Sequence, residues 1–244
     1  QPSAAAQALS AVTPSLISGS TLNVGANAGN REYFDTEDGG EVITLSGSSG
    51  GYTITYGDPS NGGWTSTGSG STLNASGGAG NDVLDASGLS GVTVNFSGGP
   101  GNDTLIAGSG GGTLDGGDGD DILDGSRATS ALTIIGGSGK DRIHGGSGND
   151  DIDGGDGNDT IDAGGGDDSI SGGSGTDTIR AGDGNDSING GGGADRLEGG
   201  AGNDYYSFGS GFGRDQLSDT DGGSGFNFAG VSGLDARIDR GVAN

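Results

Sequence analysis

Between Gly145 and Asn189 the chain reads GGSGNDDIDGGDGNDTIDAGGGDDSISGGSGTDTIRAGDGNDSIN. Carboxylates return there at Asp150, Asp159, Asp168, Asp177 and Asp186, nine residues apart, each two residues ahead of an Ile. An Asp in a glycine-rich turn offers oxygens to a cation, from its own side chain and from the turn carbonyls around it. Aligned on Gly-Gly, related units begin at 77, 98, 107, 116, 136, 145, 154, 163, 172, 181, 190 and 199, and of these twelve, eleven carry Asp in sixth place. The unit at 107 has Gly112 instead.

Each unit divides into a six-residue turn, whose glycines can take φ > 0, and a three-residue strand with an apolar centre. The middle side chain of such a strand faces away from its neighbours. Leu84, Leu105, Leu114, Leu123, Ile143, Ile152, Ile161, Ile170, Ile179, Ile188, Leu197 and Tyr206 are therefore expected to point inward. One nonapeptide cannot bury its Ile, but two make a flattened coil, and stacked coils align the apolar residues into a thin continuous seam. Stacking also brings carboxylates eighteen residues apart close together, beside turn carbonyls. Such oxygen-rich cages suit a hard cation with six to eight ligands, Ca²⁺ rather than Mg²⁺ with its stricter geometry.

Composition agrees that burial alone cannot hold the chain. It has 62 Gly in 244 residues, 28% hydrophobic residues and a formal charge of −25, values typical of chains without a packed core. There is no Cys for disulfides or thiolate sites. The acidity argues against nucleic acid and anionic membranes as partners, and no apolar run is long enough for membrane insertion. With no basic-then-apolar leader and no initiating Met, the chain is read as a mature protein or an excised segment.

The pattern GGxGxDxUx, with U apolar, resembles the calcium-binding nonapeptide of the RTX (repeats-in-toxin) family, the hemolysin-type calcium-binding repeat, over 77–207; this motif is itself a standard example of a parallel β-helix repeat. The resemblance implies an all-β fold, a right-handed parallel β-roll with several Ca²⁺ ions between successive turns. It assigns the carboxylate ligands to Asp82, Asp103, Asp121, Asp141, Asp150, Asp159, Asp168, Asp177, Asp186, Asp195 and Asp204. It assigns carbonyl ligands to the second and fourth glycines of the turns: Gly146 and Gly148, Gly155 and Gly157, Gly164 and Gly166, Gly173 and Gly175, Gly182 and Gly184. It also implies a module of a secreted bacterial protein, exported by type I secretion, unfolded at low calcium and folded by extracellular calcium.

Three segments depart from the repeat. Residues 1–76 are read as a loose leader and a metal-free, irregular β-rich region holding Tyr33, Phe34, Tyr52, Tyr56 and Trp64, with Asp58-Pro59 as a turn. Residues 86–97 and 125–135 are read as metal-free half-coils with Phe96 and Ile134 inward. Residues 208–244 are read as a C-terminal cap, in which Asp215, Asp219 and Asp221 are taken as solvated acidic turns in preference to a terminal cation site.

Counting those half-coils fixes a parity. Units at 77, 98, 116, 136, 154, 172 and 190 fall on one side of the roll, and those at 145, 163, 181 and 199 on the other, so that one ladder of carboxylates is longer. About nine ions are expected between rungs, spaced by about 4.7–4.9 Å, the strand separation of a sheet.

No catalytic constellation stands out, and the chain is expected not to be an enzyme. The single histidine, His144, excludes a HExxH zinc site. GSSGG around Ser49 lacks a strand–turn–helix context. Two further readings stay open: a calcium-dependent self-assembling surface-layer, adhesin or fibre subunit at the cell surface, and a glycan-binding module.

Overall fold

A three-residue strand between glycine turns can satisfy its backbone only against other coils. In the structure, a computed structural model, Ile152 lies beside Ile170 and Ile170 beside Ile188 in parallel register. Residues 72–209 and 211–219 are described, with the strands Ile17–Ser18, Thr21–Val24, Val42–Ser48, Gly51–Gly57, Trp64–Gly68, Gly225–Asn227 and Arg237–Ile238. From Thr72–Ser76 to Gln216–Ser218 the strands of successive half-coils alternate between a 13-stranded and a 12-stranded sheet, which makes the protein an all-β parallel solenoid. Among the described residues there is no helix, hence none long and apolar enough to cross a membrane.

Two units make one coil. Asp151–Asp156, Ser169–Ser171, Ser187–Asn189 and Tyr205–Ser207 belong to the 13-stranded sheet. Arg142–His144, Thr160–Gly165, Thr178–Asp183 and Arg196–Ala201 belong to the 12-stranded sheet. The half-coils take their expected places: Thr93–Pro100 and Leu132–Ser138 stand in the 13-stranded sheet, with Phe96 and Ile134 buried. The twelve inward residues are all buried, forming one seam between the sheets.

Several strands run past three residues into the following turn, as in Asp151–Asp156 and Thr160–Gly165. Glycine permits this, because turn backbones of adjacent coils nearly touch. Gly155 has φ +98°, and a Cβ there would collide with the Gly137 carbonyl of the coil below. Positive φ and close approach both demand the residue without a side chain.

The N-terminal strands only partly continue the roll. Thr21–Val24 pairs in parallel with Thr72–Ser76, which pairs in parallel with Thr93–Pro100. Between them, where irregular strands or coils continuing the roll were expected, Val42–Ser48, Gly51–Gly57 and Trp64–Gly68 form an antiparallel meander, joined to the roll by Val42–Ser48 against Val83–Ser90. Ser48 and Gly51 are too close in sequence for a parallel crossover, which needs a dozen or more residues; an antiparallel turn does not. Tyr33, Phe34, Ser49, Asp58, Pro59 and Asp221 lie outside the described residues, as do the side chains of Tyr52, Tyr56 and Trp64.

Candidate metal centre

Each coil places one carboxylate on a fixed hydrogen-bond rail. The backbone N–H of a sixth-position Asp donates to Oδ1 of the corresponding Asp in the next coil, through Asp82, Asp103, Asp121, Asp141, Asp159, Asp177 and Asp195, at 2.6–3.0 Å. On the other side the rail joins Asp150, Asp168, Asp186 and Asp204, at 2.7–3.1 Å. Asp103 and Asp121 thus share an edge, as the parity requires.

The first rail does not stop at Asp195. The Asp195 N–H donates to Oδ1 of Asp215 at 3.0 Å, and Asp215 is only 8% exposed. The expectation of a solvated acidic turn at Asp215 is therefore corrected: a strand at Gln216–Ser218 pairs with Arg196–Ala201 and draws Asp215 inward.

The second carboxylate oxygen raises the chemical question. In Asp103, Asp121, Asp141, Asp159, Asp168, Asp177, Asp186, Asp195 and Asp215, Oδ2 is buried without a hydrogen-bond partner. Leaving a carboxylate oxygen dry and unpaired is costly, because nothing replaces the water removed. Burial accordingly pushes the carboxyls of Asp141, Asp168 and Asp177 up to about 7, aided by the charges of neighbouring rungs and opposed by the donated N–H. Burial likewise takes Asp103, Asp186 and Asp215 up to about 6. It raises Asp121, Asp150, Asp159 and Asp195 as well.

Along the longer ladder Oδ2 faces a cradle that glycine leaves open, whereas the units of Asp168 and Asp186 begin with Ala163 and Ala181. A Cβ on Gly154, the first residue of its unit, would stand 2.7 Å from Asp159 Oδ2 and 2.5 Å from the Gly172 carbonyl of the next coil. At Gly172 it would meet Asp177 Oδ2 at 2.6 Å and the Gly190 carbonyl at 2.5 Å. A carboxylate oxygen and a carbonyl oxygen converge on one small space, coil after coil. These first-position carbonyls were missed in the sequence, where only the second and fourth glycines carried an expectation.

Those second and fourth glycines stack in columns at the turns. A Cβ on Gly173 would clash with the Gly155 carbonyl, on Gly175 with Gly157, on Gly182 with Gly164 and on Gly184 with Gly166. Gly164 and Gly166 hold the same relation to Gly146 and Gly148. Their carbonyls thus point along the stack into the gap between coils, though those of Gly146 and Gly173 also accept hydrogen bonds from Gly165 and Gly192.

Hard oxygen donors, negative charge and repetition at one strand spacing fit a large divalent cation such as Ca²⁺. Among the described residues no three His, Cys, Asp or Glu side chains cluster as a metal site. With one carboxylate per coil, a cation between coils meets two at most, and backbone oxygens must complete the shell. Two rungs differ. Asp150 Oδ2 accepts the Gly146 N–H at 2.7 Å, and the coil below it supplies Leu132 in place of a carboxylate. The unit at 107 likewise has Gly112, and no carboxylate, in sixth place.

A second rail was not foreseen. Fifth-position side chains accept the backbone N–H of the following coil, in the opposite direction: Asn102 N–H to Asn81, Asp120 to Asn102, Lys140 to Asp120. The other side repeats this with Asp167 to Asn149, Asn185 to Asp167 and Asn203 to Asn185. The signal was present in the Asn and Asp frequent at that position.

The RTX calcium-binding nonapeptide repeat family matches at 74–88, 97–128, 135–170, 171–206 and 180–217. No curated protein and no solved structure matches the chain.

Proposed function

Because the chain belongs to the RTX calcium-binding repeat family, we propose that its roll is a non-catalytic, calcium-triggered folding module of a secreted protein. The observation that carries this reading is the run of buried Oδ2 atoms without hydrogen-bond partners. Calcium bound there supplies the positive charge and the oxygen-ligand shell that the protein alone does not provide.

The chain's own residues then do three things. The rail N–H groups hold each carboxylate by Oδ1, which leaves Oδ2 aimed at the cradle. Along the longer ladder the first-position glycines keep that cradle open. The seam of Ile and Leu closes the coil and keeps water out. Asp103, Asp121, Asp141, Asp159, Asp177 and Asp195 would serve one side, Asp168, Asp186 and Asp204 the other, with carbonyls from the turns. In this reading 77–207 responds to calcium and 208–244 closes the roll.

Without calcium, adjacent carboxylates repel and glycine entropy favours the unfolded chain. A ligand that binds only the folded state stabilises it by RT ln(1 + [L]/Kd), about 2.7 kcal/mol per site at a hundredfold excess. Several sites together turn a chain with a thin core into a folded one. The unfolded form prevails at the low calcium of a cytosol and the folded form outside the cell, in keeping with the secreted proteins in which these repeats are typical.

Circular dichroism during a calcium titration after chelation tests the proposal. The expected result is a disordered spectrum that becomes predominantly β over a narrow calcium range. A β spectrum unchanged by chelator would refute it.

A further inference from the structure

The first and third residues of each short strand point away from the seam, so the outer face of the 12-stranded sheet carries two side-chain rows, and they differ in charge. The row of third residues runs Asp124, His144, Asp162, Arg180 and Glu198 in register. Its bases stand beside its acids: His144 Nδ1 lies 4.0 Å from Asp162 Oδ2, and Arg180 Nε lies 3.5 Å from Glu198 Oε2. The row of first residues runs Ile122, Arg142, Thr160, Thr178, Arg196 and Gln216 and contains no acid. Arg142 and Arg196 are exposed, and neither belongs to an ion pair among the described residues.

Two unpaired guanidinium groups stand out in a chain of formal charge −25. The opposite face has no counterpart: from Thr72–Ser76 to Tyr205–Ser207, the strands of the 13-stranded sheet hold no basic residue. Register sets Arg142 and Arg196 three strands apart, about 14 Å at one strand spacing per step. Each guanidinium is a planar fork of donors that matches the oxygens of a carboxylate or a similar oxyanion in pairs. The hydroxyls of Thr160 and Thr178 stand between the two. The strands' backbone groups are taken up by the parallel ladder, so this face recognises a ligand through side chains alone. A row that crosses the strands suits an extended ligand, and two cations so far apart, with acids alongside, suit one whose charges are sparse. Duplex DNA, with a charge for about every 1.7 Å of axis, is instead repelled by the acidity around the row.

We propose that the row from Arg142 to Arg196 binds a linear acidic polysaccharide, with carboxylate or sulfate groups seated on the two guanidinium groups and sugar hydroxyls on Thr160 and Thr178. This goes beyond the folding role proposed above, because it needs a folded roll and not a particular arrangement of ions.

The test measures binding of the full chain at millimolar calcium to hyaluronan, dextran sulfate, neutral dextran and single-stranded DNA, with circular dichroism to confirm that each variant is folded. Hyaluronan offers carboxylates and dextran sulfate offers sulfates, so the two distinguish the anion. Binding to at least one of them is expected. It should fall about tenfold or more when Arg142→Gln and Arg196→Gln are combined, the loss expected for charge-assisted hydrogen bonds. Arg180→Gln should change it by less than about twofold, since that guanidinium is already paired on the surface. Binding through calcium bridges to the acidic turns would survive the two Gln substitutions, and wild-type affinity in that variant overturns the proposal. So do absence of binding to both acidic polysaccharides, equal binding of neutral dextran, and tighter binding of DNA. Arg142→Lys with Arg196→Lys keeps the charge and loses the fork, which guards against a Gln variant that does not fold. Its affinity should lie below that of the wild type, and an affinity equal to wild type also overturns the proposal.

Discussion

On the 13-stranded side, the coils through 93–138 and those through 151–207 solve one packing problem with opposite chemistry. At the start of the regular coils a first-position glycine faces a carboxylate: a Cβ on Gly145 would lie 2.8 Å from Asp150 Oδ2, and the units that follow, at Ala163 and Ala181, keep the carboxylate with an alanine there. At Gly125 the corresponding Cβ would run into Cδ1 of Leu132. Leu132 is 2% exposed, and its N–H donates to Asp150 Oδ1 at 2.8 Å, as an Asp N–H does in the coils above. A leucine thus stands where a carboxylate and its cation would be. Ala128 is buried in the same stretch. The backbone path of a coil accepts either an apolar plug or a charged cradle, and under the proposed function only the cradle answers to calcium.

Crossed substitutions offer the strongest way to break this comparison. Leu132→Ala should destabilise by about 2–5 kcal/mol, the usual range for a truncated core leucine, by a similar amount across saturating calcium levels. Asp168→Asn should leave little trace in chelator and raise the calcium needed for folding. Chemical denaturation at several calcium concentrations reads both; equal calcium dependence of the two penalties would erase the distinction between plug and cradle.

Acidity sharpens it next. Carboxyls lifted to about 7 in Asp141, Asp168 and Asp177, from an ordinary value of 3.8, bind more protons folded than unfolded. Their effect on the calcium-free roll therefore favours folding most at and below about pH 4 and is lost as pH rises through about 7. Lowering pH from 8 to 5 in chelator is expected to increase β structure, with the gain in exchange protection at 151–189 exceeding that at 112–135. Loss of β structure on acidification in chelator would contradict the account of the buried carboxylates.

The smallest effect concerns the fifth-position rail, which Lys140 interrupts because its side chain accepts no hydrogen bond, and which resumes where the Thr176 N–H donates to Asn158. Lys140→Asn should extend the rail by one bond and stabilise the calcium-loaded roll by about 0.5 kcal/mol, the low end for a net hydrogen bond. A lower midpoint in thermal unfolding would count against the rail.

Much of this was legible in the sequence because the period is rigid. Ile every ninth residue can only mean a stacked seam, and counting half-coils put Asp103 and Asp121 on one edge before any coordinates. What escaped notice depends on contacts between residues that no period links. Leu132 reads as one more apolar residue until Gly125 is found beneath it. Asp215 was masked by Ser210 in place of the first glycine and by a spacing of 20 residues from Asp195. The antiparallel meander at Val42–Gly68 followed from short connections whose flanking strands look like any others.

The eighteen-residue offset between stacked rungs such as Asp141 and Asp159 also has a mechanical meaning. Stretched out, eighteen residues span about 60 Å. Wound into one coil, they advance the roll by only about 4.8 Å, one strand spacing. Each coil that forms reels in more than nine-tenths of its contour length. If calcium folds the roll as proposed, a chain held taut at both ends shortens by tens of ångströms per coil, and an ion concentration becomes a reach.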